Sequence, residues 1–164
     1  MRAGTELSQL LALIDQAYNR KSWHGTNLRG SLRSVSPAAA SWRPGPGRHN
    51  IWELTVHAAY WKYTVWRRLA GADRGSFALK GSNWFPRPDA DSSAAAWRKD
   101  ISLLDRTHRE LRGAIEAFSP RVLHHTPKGS KFDYAALISG VAAHDLYHAG
   151  QIQLLKRLLP SALT

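Results

Sequence analysis

Apolar residues recur every three or four positions in four stretches of the chain, which is the spacing of an amphipathic α-helix. The first stretch begins near Thr5 and weakens around residues 21–25, and a shorter apolar pattern follows over residues 28–35. This first arm is therefore predicted to be a broken helix. The Ser-Pro step at 36–37 and the run PGPG at 44–47 predict a loop after it.

A second helix is predicted to begin at Asn50, whose side chain can cap the first turn while Glu53 reaches back to the Asn50 backbone. Its apolar stripe continues to Leu69, and Gly71 is a suitable stop because glycine readily adopts the left-handed conformation that follows many helices. Residues 71–90 carry no helical stripe and are rich in glycine and proline. A connection of this length predicts a functional lid or a crossover between helices.

The third helix is predicted to run from residues 91–93 to about Phe118, where a Ser-Pro step ends it. The last helix is predicted to begin after a cap at Asp133 and to stop at Pro160. The sequence shows no convincing strand pattern and no internal repeat. Four amphipathic helices of this size predict an all-α four-helix bundle, with the long link before the third helix as a crossover connection.

Three histidines fall where an apolar core residue is expected. His144 and His148 lie on the stripe of the last helix, four residues apart, so their imidazoles can meet on one face. His57 leans inward from the second helix. Three protein nitrogens with one position left open are typical of catalytic zinc-like sites, so we expect these histidines to hold one divalent metal ion. The alternative is that they are hydrogen-bonded members of the core.

Other side chains are candidates for supporting roles. Gln151 lies one helical turn beyond the histidine pair and is the candidate catalytic residue, because it could hydrogen-bond a metal-bound water or a substrate. Asp145 is expected to brace a neighbouring helix, and His108 to be a packed core histidine. Trp84 could line the mouth of a pocket, and His24 could reach the same pocket.

Composition limits the class of protein. A chain of 164 residues is most simply one domain, here residues 1–164. The chain has no cysteine, which excludes disulfides, thiolate ligands and cysteine nucleophiles and fits a reducing compartment. No signal-peptide pattern and no apolar run of the ~18–20 residues needed to cross a bilayer is present, so we expect a cytoplasmic protein without membrane contact.

The formal net charge of +11 raises nucleic acid as a partner. The basic residues are scattered, however, and no block of five or six like charges occurs. A basic, solvated surface is therefore favoured over a dedicated nucleic-acid face.

Four segments of the chain together resemble the DinB/YfiT-like superfamily, and the resemblance extends from about residue 5 to 159: WRPGPGRHNIWE at 42–53, WELTVHAAYWK at 52–62, GSNWFP at 81–86 and HDLYHAGQIQLLKRLL at 144–159. The resemblance implies a four-helix bundle with a crossover, often dimeric. It also implies a histidine triad that holds zinc or nickel, and by position the three ligands are His57, His144 and His148.

Some members of that superfamily are thiol-dependent transferases or isomerases, so the resemblance implies a metal-dependent enzyme. The leading hypothesis is an S-transferase that acts on a low-molecular-weight thiol and a small electrophile, in a homodimer. A second hypothesis is metal-assisted hydrolysis, in which the same ion activates water. The third is a basic nucleic-acid-binding bundle in which the histidines are structural.

Overall fold

The computed structural model describes residues 3–163, and its regular elements are all helical. No strand occurs among these residues, which confirms the predicted all-α class. Two 3₁₀ turns lie at Pro120–Val122 and Ser161–Leu163. The α-helices are α1 Ala3–Tyr18, α2 Leu28–Ser31, α3 Pro37–Ser41, α4 Ile51–Leu69, α5 Ala94–Glu116 and α6 Tyr134–Leu158.

The four long helices form a bundle, as predicted. Helix α4 packs against α5 and α6, and α1 packs against the same two helices from the other side. Their facing stripes are buried: Leu104 and Leu111 of α5 and Ile138 and Ile152 of α6 have no exposed surface. Burying these apolar faces is the main favourable term in the folding of such a bundle. Within the described chain, no helix is long and apolar enough to cross a membrane.

The long link between α4 and α5 is a crossover, which confirms the prediction. Trp52 near the start of α4 donates to Asp100 near the start of α5 at 2.7 Å. Trp66 near the end of α4 lines the same pocket as Glu110 further along α5, so the two helices run parallel. A parallel pair cannot be joined by a short turn, and residues 70–93 run back along α4. On the way, the backbone N–H of Ser76 donates to the Tyr63 hydroxyl at 3.2 Å.

The first arm is broken, as predicted, but part of the loop assigned after it is helical. Ser36 caps α3, because its hydroxyl accepts from the Ala39 backbone N–H at 3.2 Å, and Pro37 takes the first helical position. The prediction of a loop at this Ser-Pro step was therefore wrong. A helix of five residues is too short to show the apolar periodicity by which the longer helices are recognised.

Asn50 caps α4 as predicted, accepting from the Glu53 backbone N–H at 2.8 Å. The reciprocal half of the predicted capping box is wrong. The Glu53 carboxylate instead accepts from the Arg43 guanidinium at 2.9 and 2.5 Å. His49 Nδ1 at 2.8 Å and the Arg87 backbone N–H at 3.3 Å complete its contacts. Burial would raise the pKa of Glu53, but these hydrogen bonds, led by that of Arg43, lower it to about 2.

Replacing Glu53 with glutamine is expected to destabilise the fold by about 3 kcal/mol at neutral pH, because a carboxyl pKa below its ordinary value of 4.5 stabilises the folded state. This contribution is complete above about pH 4.5 and is lost as the pH falls towards 2. Urea unfolding of both proteins should therefore show a difference that is largest at neutral pH and shrinks in acid. A difference that does not change with pH would contradict this account of Glu53.

Candidate metal centre

The structure brings together the three histidines that the sequence singled out. His57 lies on α4, and His144 and His148 lie on α6, with one ring nitrogen of each within 4.8 Å of the others. Nε2 of His144 is 3.1 Å from Nε2 of His57 and 3.0 Å from Nε2 of His148. His57 and His148 are buried, at 5% and 3% exposure. Three imidazole nitrogens thus point at one place inside the bundle.

The crossover fixes the orientation of His57. Its Nδ1 lies 2.8 Å from the backbone carbonyl oxygen of Asn83. A carbonyl oxygen can only accept, so Nδ1 carries the proton and Nε2 has a free lone pair that faces the cluster. Asn83 has a φ of +63°, a left-handed conformation that asparagine adopts more readily than most residues. Its side-chain oxygen accepts from Trp61 Nε1 at 3.0 Å, which holds the turn against α4.

The next residue of the crossover, Trp84, packs flat against two histidine rings. Its ring is stacked on His57 with centroids 3.8 Å apart, and on His49 with centroids 3.6 Å apart. His49 is held in turn by Glu53. Trp84 also lines the cavity beside the triad, which confirms its predicted place at a pocket.

Gln151 contacts the triad through His148, one of the three candidate metal ligands. Its side-chain oxygen lies 2.6 Å from His148 Nδ1, which puts the proton of that ring on Nδ1 and leaves Nε2 free. An acceptor on the far nitrogen of a metal-binding histidine fixes the tautomer and the ring orientation. The structure therefore gives Gln151 an orienting contact, and its catalytic role stays a prediction.

Burial keeps the three imidazoles neutral. Desolvation lowers the pKa of His57 to about 4 and that of His144 to about 3, and it also lowers the pKa of His148. Neutral imidazole is the form that binds a metal. Since Nε2 of His57 and of His148 are both acceptors, Nε2 of His144 carries the proton in these contacts. Nδ1 of His144 is buried without a hydrogen-bond partner among the described residues.

The donor set fits a divalent transition metal. Zinc–imidazole bonds of about 2.0–2.1 Å at tetrahedral angles place the nitrogens roughly 3.3 Å apart. The two Nε2 separations at His144, 3.1 and 3.0 Å, are close to that value. Three neutral nitrogen donors suit zinc and nickel, whereas magnesium and calcium prefer oxygen ligands.

Asp145 braces a neighbouring helix, as predicted, and does not contact the triad. Its carboxylate accepts from Lys62 of α4, and both side chains are fully buried. Burial raises the pKa of Asp145 and lowers that of Lys62. The Lys62 ammonium also lies 4.7 Å from the ring centroid of Tyr18, so the pair links α1, α4 and α6 next to His144.

The remaining histidines lie outside the cluster. His108 is buried and stacks on Tyr18 with centroids 3.7 Å apart, which confirms its predicted place in the core. His24 is exposed and does not line the cavity, so the prediction that it reaches the pocket was wrong. The sequence interpretation missed Asn83 and His49. An asparagine among glycines and serines in a long link was the available signal for a left-handed turn.

A cavity of about 730 Å³ lies beside the triad, bordered by His57 and His144. Its lining is predominantly apolar and includes Trp61 and Val141. A volume in this range suits a small organic molecule, and an apolar lining with a few polar groups is typical of ligand sites. The site can therefore present two of its three imidazoles to a bound substrate.

Asp145→Ala is expected to destabilise the metal-free protein by about 3–5 kcal/mol, because it leaves the Lys62 ammonium buried without a counter-charge. Replacing both partners, as Lys62→Met with Asp145→Leu, should restore most of that stability. Urea unfolding of the three proteins tests this, with the exposed Asp73→Ala as a control. If Asp145→Ala cost no more than Asp73→Ala, the buried pair would not stabilise the bundle.

A family of known sequences matches the chain over its central part. The sequence model of the DinB superfamily matches residues 21–152, which include the crossover and all three histidines of the cluster. Searches of curated proteins and of solved structures each returned no match. The family match covers well over half of the chain and confirms the resemblance noted in the sequence. The chain therefore belongs to the DinB superfamily.

Proposed function

We propose that the protein is a metal-dependent enzyme with one divalent ion, zinc or nickel, held by His57, His144 and His148. The observation that carries the proposal is the convergence of three neutral imidazoles on one point, with His57 and His148 buried and His144 partly buried. Polar rings inside a helical bundle cost free energy unless they are hydrogen-bonded or bound to a metal. Three nitrogens leave a coordination position for a substrate, as in catalytic sites.

The surrounding residues orient two of the three rings and cover one face of His57. The Asn83 carbonyl and the Gln151 side chain hold two of the rings by their outer nitrogens. Trp84 covers the face of His57 and separates it from bulk water. When bound, a divalent ion would lower the pKa of a thiol or a water molecule in the open position. A nucleophile in the cavity would lie against His57 and His144, which border it.

A thiol is the nucleophile that the cavity favours. Among the described residues, no acidic side chain lines the cavity, so no carboxylate there can act as a general base. A thiol, with a pKa of about 8.5, needs far less activation than water, with a pKa of about 15.7. We therefore propose an S-transferase in which the thiol releases its proton to solvent, the thiolate sulfur bonds to an electrophilic carbon, and the leaving group departs from that carbon with the electron pair of the broken bond. Any contact of Gln151 with the nucleophile would use its amide NH₂ group, since its oxygen accepts from His148.

Metal-assisted hydrolysis by the same three ligands is the competing activity, and dependence on a thiol separates the two. The transferase should consume an electrophile only when a low-molecular-weight thiol is added, and should form the thioether. Turnover at the same rate without any thiol would favour hydrolysis. The predicted homodimer stays a proposal, supported by the exposed side chains of Tyr147, Leu154 and Leu158 on α6.

Protein produced without a histidine tag is expected to hold about one divalent ion per chain, the stoichiometry of a site with three protein ligands. His57→Ala and His148→Ala should each lose the ion and keep their helical circular dichroism. His108→Ala is the matched control, because His108 is equally buried but lies outside the cluster. Elemental analysis by mass spectrometry gives the ratio.

Two results would overturn the metal proposal. One is a wild-type protein that takes up no zinc or nickel even after incubation with either ion. The other is an ion that remains at wild-type occupancy in both His57→Ala and His148→Ala. Either result would make the histidines structural members of the core and would return attention to the basic surface.

A further inference from the structure

The cavity beside the triad is a groove between α4 and α6. On α4 its lining residues are His57, Trp61, Val65 and Arg68, which recur every three or four positions and so share one face of the helix. At 1.5 Å per residue, Arg68 lies about 16 Å along the axis from His57. The groove therefore has the triad at one end and a guanidinium at the other.

Arg68 is a charged group without a carboxylate partner. Its side chain is half-buried, and within the described part of the chain its one hydrogen bond goes to the Thr64 carbonyl at 3.2 Å. Among the described residues, it forms no ion pair. Three other partly buried arginines each pair with a carboxylate, namely Arg29, Arg87 and Arg112. The neighbouring Arg67, also partly buried, donates to the Ala72 carbonyl at 3.2 Å and forms no ion pair within residues 3–163.

The charges around Arg68 favour the binding of an anion to its guanidinium. Burial, together with the neighbouring charges of Arg67 and Arg74, holds the pKa of Arg68 below its ordinary value. Lys131 lines the same groove and adds a second cation at its rim. No acidic side chain lines the groove within the described residues, so nothing there repels a negative ligand. An anion that paired with Arg68 would relieve the repulsion among the three arginines.

The middle of the groove is apolar. Trp61 and Val65 line it from α4, and Leu137 and Val141 line it from α6. Phe132, at 62% exposure, stands at its rim. A ligand that reaches from Arg68 to the triad must cross this surface, and an apolar body would gain from burial there.

We propose that this groove binds an elongated organic anion, whose carboxylate pairs with Arg68 and whose apolar body lies along Trp61 and Val141. The opposite end of the ligand then rests against His57 and His144. The inference rests on the proposed function for the reaction at that end, since it assigns the substrate class of the same site. The pairing with Arg68 needs no metal and is tested without one.

Isothermal titration calorimetry on the metal-free protein tests the pairing with phenylhexanoate and its uncharged analogue phenylhexanol. The acid is expected to bind about tenfold more tightly than the alcohol, the effect of one charge-assisted hydrogen bond of roughly 1.5 kcal/mol. Arg68→Gln should abolish that preference and leave the affinity for the alcohol unchanged, and Arg68→Lys should restore part of it. Arg98→Gln, an exposed position on α5 outside the groove, should behave as the wild type.

Equal affinity for acid and alcohol in the wild type would overturn the proposal, as would an undiminished preference in Arg68→Gln or no binding of either compound. Metal uptake by the same protein, measured on a separate portion after incubation with zinc or nickel, separates this inference from the proposed function. A chain that prefers the acid but takes up no metal would keep the groove assignment and refute the metal centre. A chain that takes up metal but binds the acid and the alcohol equally would keep the metal centre and refute the groove assignment.

Discussion

The hydrogen bond from His57 to the Asn83 carbonyl is the contact on which the candidate site depends. It links a side chain of α4 to the backbone of the crossover, 26 residues further along the chain. Without it, a buried imidazole proton would have no acceptor and the ring could turn its lone pair away from α6. The crossover exists because α4 and α5 run parallel, so the topology of the bundle supplies the acceptor for the first histidine.

The polar groups of the bundle core are organised in layers along α4. Glu53, tied to Arg43 and His49, holds the start of the helix against the crossover. His57 follows one turn later, and Lys62 is paired with Asp145 of α6 further on. Each polar layer is held by a contact with another element, although Nδ1 of His144 and Oδ1 of Asp145 have no hydrogen-bond partner among the described residues. A core built this way holds α4 and α6 in one register, which the meeting of His57 with His144 and His148 requires.

Much of this arrangement could be predicted from the sequence, because it depends on local periodicity. The four helices follow from their apolar stripes, and the histidine pair of α6 follows from its four-residue spacing on one stripe. The crossover was indicated by the length and the glycine and proline content of the link. These features need only the helical repeat and the conformational preferences of single residues.

The remaining features depend on contacts that no local pattern encodes. Glu53 was interpreted as a capping-box partner because Asn50 lies three residues before it, yet its carboxylate meets Arg43 and the backbone of Arg87. The role of Asn83 depends on where the crossover passes over α4. The α3 helix at Pro37–Ser41 shows no repeat because it is barely longer than one turn. Long-range partners decide these positions, and they appear only in the folded chain.

The most direct test of the account is the tautomeric state of the three histidines in the metal-free protein at neutral pH, read from the ¹⁵N shifts of their rings. The structure predicts neutral rings with the proton on Nδ1 in His57 and His148, and on Nε2 in His144. On addition of zinc, His144 alone should move its proton to Nδ1. A proton on Nε2 of His57 or His148 in the metal-free protein would contradict the claim that the fold sets these two rings for metal binding.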